Sequence, residues 1–140
     1  MGDIMKKHKY MEIAFKEALK AKKIDEVPVG AIIIDNKGKI IGKGYNKKEK
    51  KHNPINHAEI IAILKATKKK KDWRLNDCTL YTTLEPCEMC ESVIKTVRIK
   101  NVYYSLKRIN ETKQMFEYKK EQIVIKKYEN IISDFFKKKR

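Results

Sequence analysis

Between Met5 and Lys22 the apolar residues Met11, Ala14, Phe15, Ala18 and Leu19 recur at i, i+3, i+4, i+7 and i+8. That spacing gathers one stripe along a helix and predicts an amphipathic helix covering another layer. Two β-rich runs follow, "VPVGAIIID" and "KIIGKGYN", and "NKG" between them reads as a tight antiparallel hairpin because Asn and Gly tolerate positive φ. After the polar stretch "KKEKKHNPIN", the apolar residues of "HAEIIAILKAT" continue for about three turns and predict a mostly buried helix, ended by the lysine run 68–71. "CTLYTT" then reads as a strand, "PCEMCESVIKTV" as a helix with proline in its first turn, and "NVYYSL" as another strand. A short helix is expected within 107–121, a last strand at "QIVIK", and a final helix with Tyr128, Ile131, Ile132, Phe135 and Phe136 on one face. Alternating strands and helices imply crossover units, hence a largely parallel sheet with helices on its faces apart from the first hairpin.

With 140 residues, 41% of them hydrophobic, the chain is long enough for one domain with a real core and too short for two domains, so one domain over 1–140 is expected. No stretch approaches the roughly 20 apolar residues of a membrane helix, and the N-terminal residues do not read as a secretory leader. A cytoplasmic protein is expected. Three cysteines, two of them in "CEMC", fit a metal or redox site better than a disulfide scaffold. The net charge of +16 points to a polyanionic partner such as nucleic acid. Only four of the 34 basic residues are arginine, however (Arg74, Arg98, Arg108 and Arg140), so a lysine-rich codon bias explains the charge equally well.

The candidate chemistry starts at "NHAEI". Asn56 reads as the N-cap of the second helix, His57 as its first residue and Glu59 as its third; alone, Asn-x-x-Glu is also a capping-box pattern. "PCEMC" changes the balance. Cysteines three apart at a helix start can aim both sulfurs at one point, where the helix N-terminus favours thiolate. A redox dithiol or two core thiols are the alternatives. His57, Cys87 and Cys90 together are one nitrogen and two sulfur donors, a set suited to tetrahedral Zn2+. Three ligands leave a fourth position in which a bound water's pKa falls toward about 7. His52 is the residue that could close that position instead. Glu59, two residues after a ligand, is placed to take that water's proton as general base and to return it as general acid.

These residues resemble the zinc-dependent cytidine/deoxycytidylate deaminase superfamily, whose known signature is H-x-E with P-C-x-x-C. Within it, "VPVGA", Asn46 of "GYN", "DWRL", "TLYTTLEPC" and "SDFFKKKR" are similar to the tRNA-specific adenosine deaminases. The resemblance implies an α/β fold: a three-layer α/β/α cytidine deaminase-like domain with a mixed five-stranded sheet. It also implies one zinc per subunit, a homodimer, and conversion of adenosine to inosine at the wobble position of a tRNA anticodon stem-loop. Glu59 would protonate the ring and the departing amine, Asn46 and the backbone of Ala58 would hold the base, and Val27 would pack against it. One stretch departs from the pattern: where the family shows a G-x-R-D-like sequence, this chain has Ser105, Leu106, Lys107 and Arg108, which bears on how flanking RNA is gripped. Two other readings remain: a deaminase of a free nucleobase or nucleoside, guanine or cytosine, and a non-catalytic zinc-containing RNA-binding module. Cys78 is expected to be a core thiol, Trp73 and Arg74 to pack and pair, and one of Phe135 and Phe136 to enter the core.

Overall fold

The structure is a computed structural model describing residues 2–108 and 117–138. Helix α1 (Gly2–Lys23) is followed by strands β1 (Gly30–Ile34) and β2 (Ile40–Tyr45), helix α2 (Ala58–Lys70), strand β3 (Thr79–Leu84), helix α3 (Glu88–Thr96), strand β4 (Asn101–Leu106) and helix α4 (Lys126–Lys138). The predicted hairpin forms, with Gly38 at φ +81 in its turn and β1 antiparallel to β2.

The sheet order is β2-β1-β3-β4. β1 also pairs antiparallel with β3, and only β3 and β4 pair in parallel. The sheet is therefore mixed, as expected, but not largely parallel. The crossovers through α2 and α3 do give β2, β3 and β4 a common direction; β1, inserted between β2 and β3, converts two of the three pairings to antiparallel. Nothing in the local pattern of the hairpin says on which side of β2 the next strand will join. The fifth strand expected at "QIVIK" is absent from the described residues: 122–125 is exposed and lies in no ladder, and Lys126 begins α4. Most of the short helix expected within 107–121 lies outside the described residues.

Two cores sit on opposite faces of this sheet. Ala31, Ile33 and Leu80 point to one face and pack with Ala62, Ile63 and Ala66 of α2 and Ile94 of α3. Ile32, Ile34 and Tyr81 point to the other and meet Ala14, Tyr10 and Met11 of α1. This alternation is the period-2 rule of a strand buried on both sides, and it yields three layers, α/β/α. A row of rings from Tyr10 through Tyr81 to Tyr103, with centroids 5.3 and 5.1 Å apart, runs across the α1 face.

The seating of α2 follows from small residues on both partners. Gly42 and Gly44 lie on one side of β2, and a Cβ on either would collide with the carbonyl oxygen of Ala62 or Ala58 respectively. Two strand residues rise about 6.6 Å and four helix residues about 6 Å, so the Gly42/Gly44 pair matches the Ala62/Ala58 pair. Helix and strand backbones thus approach closely, and the N-terminus of α2 is held against the end of β2. Gly44→Val is expected to lower stability by about 1–3 kcal/mol, read as a shift in thermal melting, because the helix start must move to admit the side chain.

Helix α4 forms as predicted, but none of its residues is buried. Phe135 and Phe136 are 53% and 59% exposed, which corrects the expectation that one of them enters the core. Helical spacing makes a face apolar; a second surface is needed to bury it.

Candidate active site

Two helices begin at the site, each with a motif residue as its N-cap. His57 (φ −74, ψ 155) caps α2 and makes no side-chain capping bond. Cys87 (φ −74, ψ 171) does the same for α3. The sequence expectation was one residue out in both cases. Asn56 is not the N-cap and Glu59 is the second helical residue, so no capping box forms; likewise Pro86 lies just before the N-cap of α3 rather than in its first turn. The physical sense is clear: a side chain in the extended N-cap conformation, unused for capping, is free to face the neighbouring helix start. Cys90, one turn into α3, comes round to the same side as Cys87. His57 Nδ1 lies 3.5 Å from Cys90 Sγ and 3.8 Å from Cys87 Sγ. All three donor atoms fall within 4.8 Å of one another and could hold one metal ion. The donor chemistry, one imidazole and two sulfurs, fits zinc. His52 is exposed on the preceding loop and is not part of this group.

The electrostatics around the sulfurs are uneven. Cys87 is lowered to about 3, first by its hydrogen bond from Cys90 and then by His57, whereas serving that bond, together with burial, holds the Cys90 thiol protonated. Protons therefore leave the pair readily from Cys87, the state a cation would select. Glu59 is 2% exposed. Burial is the largest influence on its carboxyl and raises it above the ordinary carboxylate range, against the pull of its own backbone N–H and of His57. A carboxyl raised in this way holds a proton more readily than an exposed one, as a group that both accepts and donates must.

Beside the donors opens a cavity of about 240 Å³ whose wall includes His57, Ala58 and Glu59. Val27, Val29 and Leu84 supply its apolar surface, and Asn46, Lys48 and Arg108 the polar remainder. Asn46 is buried, and its Nδ2 donates to the Val27 carbonyl at 3.4 Å while its Oδ1 accepts from the Lys48 N–H at 3.4 Å. The loop carrying Lys48 is tied down by buried Glu26, whose two carboxylate oxygens accept the N–H groups of Glu49 and Lys50 at 3.1 and 2.6 Å. Ala58 is fully buried at the first position of α2, where backbone N–H groups have no acceptor inside the helix.

Residues 4–106 match the family described as the cytidine and deoxycytidylate deaminase zinc-binding region. The chain belongs to that deaminase family. Among the relatives of this chain is a tRNA-specific adenosine deaminase of Buchnera aphidicola, 40% identical over 94% of both chains. One of the same description from Streptococcus pyogenes is 43% identical over 68% of this chain and 59% of its own length. The chain thus spans less than two thirds of some of the curated relatives it matches. Among solved structures, one from work on A-to-I editing by tRNA:A34 deaminases at the wobble position is 37% identical, covers 72% of this chain and 77% of its own, and superposes with a TM-score of 0.70. An X-ray structure of guanine deaminase from Bacillus subtilis is 26% identical and covers 93% of each chain with a TM-score of 0.78.

All seven residues singled out in the sequence gather here: His57, Cys87 and Cys90 in the donor group, and Glu59, Asn46, Ala58 and Val27 around the cavity. Val27 is 62% exposed and faces the opening, not the core. Sequence reasoning did not place Lys48, Leu84 or Val29 at the cavity. Leu84 was signalled only by its place in "TLEPC", and Lys48 was indistinguishable from its neighbours in the 47–51 lysine run. Cys78 lies buried away from the group, its thiol pushed up to about 11 by burial and by Asp77. The guanidinium groups of Arg74 and Arg98 lie over the Trp73 ring at 4.5 and 5.0 Å, and Arg74 pairs with Asp72 at 3.1 Å, in line with a packing role.

Proposed function

We propose that this chain hydrolytically deaminates adenosine to inosine at the wobble position of a tRNA anticodon, with His57, Cys87 and Cys90 as zinc ligands. The observation that carries the reaction class is the buried Glu59 carboxyl set beside a compact imidazole–dithiol group at the wall of one small cavity. Relatives named tRNA-specific adenosine deaminase at 40–43% identity support the substrate. Bound at this group, zinc would supply the Lewis acidity that makes water nucleophilic near neutral pH.

The residues of the chain then divide the remaining work. Glu59 takes one proton from the attacking water and gives it to the purine ring, then carries the proton of the newly formed hydroxyl to the amine, so that the C–N bond breaks, ammonia departs and inosine remains. Asn46 offers an amide to the base edge, and the Ala58 N–H, at a helix start, offers a donor with no competing helical acceptor. Val27 lies against the base, and Val29 and Leu84 exclude water around it. An anticodon loop presents an unpaired base at low cost, which suits a recessed cavity.

Deamination of free guanine is the second reading, favoured by the overlay of 93% of the chain on guanine deaminase. The two are separated by incubating the zinc-loaded protein with an anticodon stem-loop, mapping inosine by position, and in parallel measuring ammonia released from guanine, cytosine and adenosine. Inosine at the wobble adenosine is the expected outcome; ammonia from free bases with no inosine in RNA overturns the tRNA assignment. The two cores share one sheet, which supports one deaminase domain over 1–140. No described helix is long and apolar enough to cross a membrane, and a tRNA substrate supports cytoplasmic residence. The homodimer that the family resemblance implies is checked by sedimentation equilibrium across a concentration series.

A further inference from the structure

We propose that Arg108 and Lys48 form a phosphodiester-binding pair at the cavity mouth that grips the polynucleotide backbone beside the extruded nucleoside. The inference rests on the RNA substrate proposed above and adds to it a residue-level basis for choosing a chain over a free base.

Both cations line the cavity that contains Glu59 and His57, yet they arrive from different elements: Lys48 from the loop after β2 and Arg108 from the segment after β4. Each is anchored at its backbone. The Lys48 N–H donates to Asn46, and the Arg108 N–H donates to Glu85 Oε1 at 3.1 Å. Arg108 Nε also donates, to the Glu85 carbonyl at 3.1 Å. That bond orients the guanidinium and uses one of its five donors; among the described residues no acceptor takes the terminal nitrogens. A half-buried, oriented fork of this kind matches two oxygens of a phosphate. The interior of the cavity already holds a carboxyl and lies against two sulfurs, so the anion these cations attract belongs at the rim. A nucleobase carries no such anion. A nucleotide within a chain carries a phosphodiester on either side, and an extruded base draws one of them to the mouth of its pocket.

The experiment uses the zinc-loaded protein and anticodon stem-loop RNA, with Arg108→Gln, Arg108→Lys and Lys48→Ala compared with wild type. Arg108→Gln keeps a donor for the Glu85 carbonyl while losing the charge, and zinc content and melting temperature confirm that it folds. It is expected to raise KM for the stem-loop roughly 10- to 100-fold, with the loss falling on KM and not on kcat. The salt dependence of log KM should become shallower by roughly 0.7 to 0.9, and Arg108→Lys should restore much of both. Lys48→Ala should act in the same direction. A neutral methylphosphonate at one of the two phosphodiesters flanking the target should reproduce the defect in wild type and add nothing in Arg108→Gln. An unchanged salt slope, or additive effects of methylphosphonate and variant, would show that Arg108 merely braces Glu85 and would overturn the proposal. So would adenosine 5′-monophosphate competing as well as the stem-loop, since the anion would then be a mononucleotide's. If wild type forms no inosine in RNA at all, the substrate reading itself fails and takes this pair with it; a normal wild type with a normal Arg108→Gln sinks the pair alone.

Discussion

Glu59→Gln is expected to cut inosine formation by at least ~10²-fold in kcat while zinc content and fold are retained. Glutamine preserves the shape of a side chain that is 2% exposed, so the loss isolates proton transfer from packing. Burial raises the Glu59 carboxyl, and a carboxyl raised on folding stabilises least above its folded pKa: its contribution is intact below the unfolded value and is lost as pH rises through the folded one. Glutamine has no charge to bury, so the zinc-stripped variant should melt no lower than stripped wild type at neutral pH, and the gap should close in acid. Loss of activity without loss of stability is the signature of a group kept for chemistry. Turnover equal to wild type would remove Glu59 from the mechanism, whereas RNA binding with no turnover in either protein would favour a non-catalytic RNA-binding role.

Cys90→Ser carries the second large effect. Cys90 is fully buried, and its sulfur is the donor nearest His57 at 3.5 Å. A serine hydroxyl is a poor substitute for thiolate toward zinc. Losing a partner one shell out already costs 10–100-fold in metal affinity in general, so losing the ligand itself should cost at least ~10²-fold, read as zinc per chain after dialysis against a weak chelator. Because metal binding to the folded state alone stabilises it by mass action, wild type should melt higher with zinc than without, and Cys90→Ser should show little of that difference. A variant that keeps one zinc per chain would show that the ion, where present, sits elsewhere.

The signals that made this site legible are local. H-x-E and P-C-x-x-C each sit at a helix start, and a helix start places its first few side chains within one turn by backbone geometry alone. The boundaries were off by a residue at Asn56 and Pro86 because the motif side chains themselves occupy the N-cap positions, which a propensity argument assigns to Asn or to the residue before a proline-led turn. The strand pattern located β1 to β4 because each alternates or is continuously apolar. It could not show that β1 would lie between β2 and β3, and hence that the sheet would be mixed with two antiparallel pairings.

Arg108 marks the limit of reading along the chain. As sequence it is a departure from a family pattern, 23 residues from Glu85; in the folded protein it is hydrogen-bonded to Glu85 and lines the cavity with Glu59. Phe135 and Phe136 mark it in another way, since their helix forms yet none of its described residues is buried. Donor types, their spacing and the helices that begin at them were determined by the amino-acid sequence, because they depend on contacts within one turn. Which distant segments close the cavity, which strand enters the middle of the sheet and whether an apolar helix face becomes buried were decided only by tertiary packing, because those outcomes turn on surfaces that exist only once the separate elements have met.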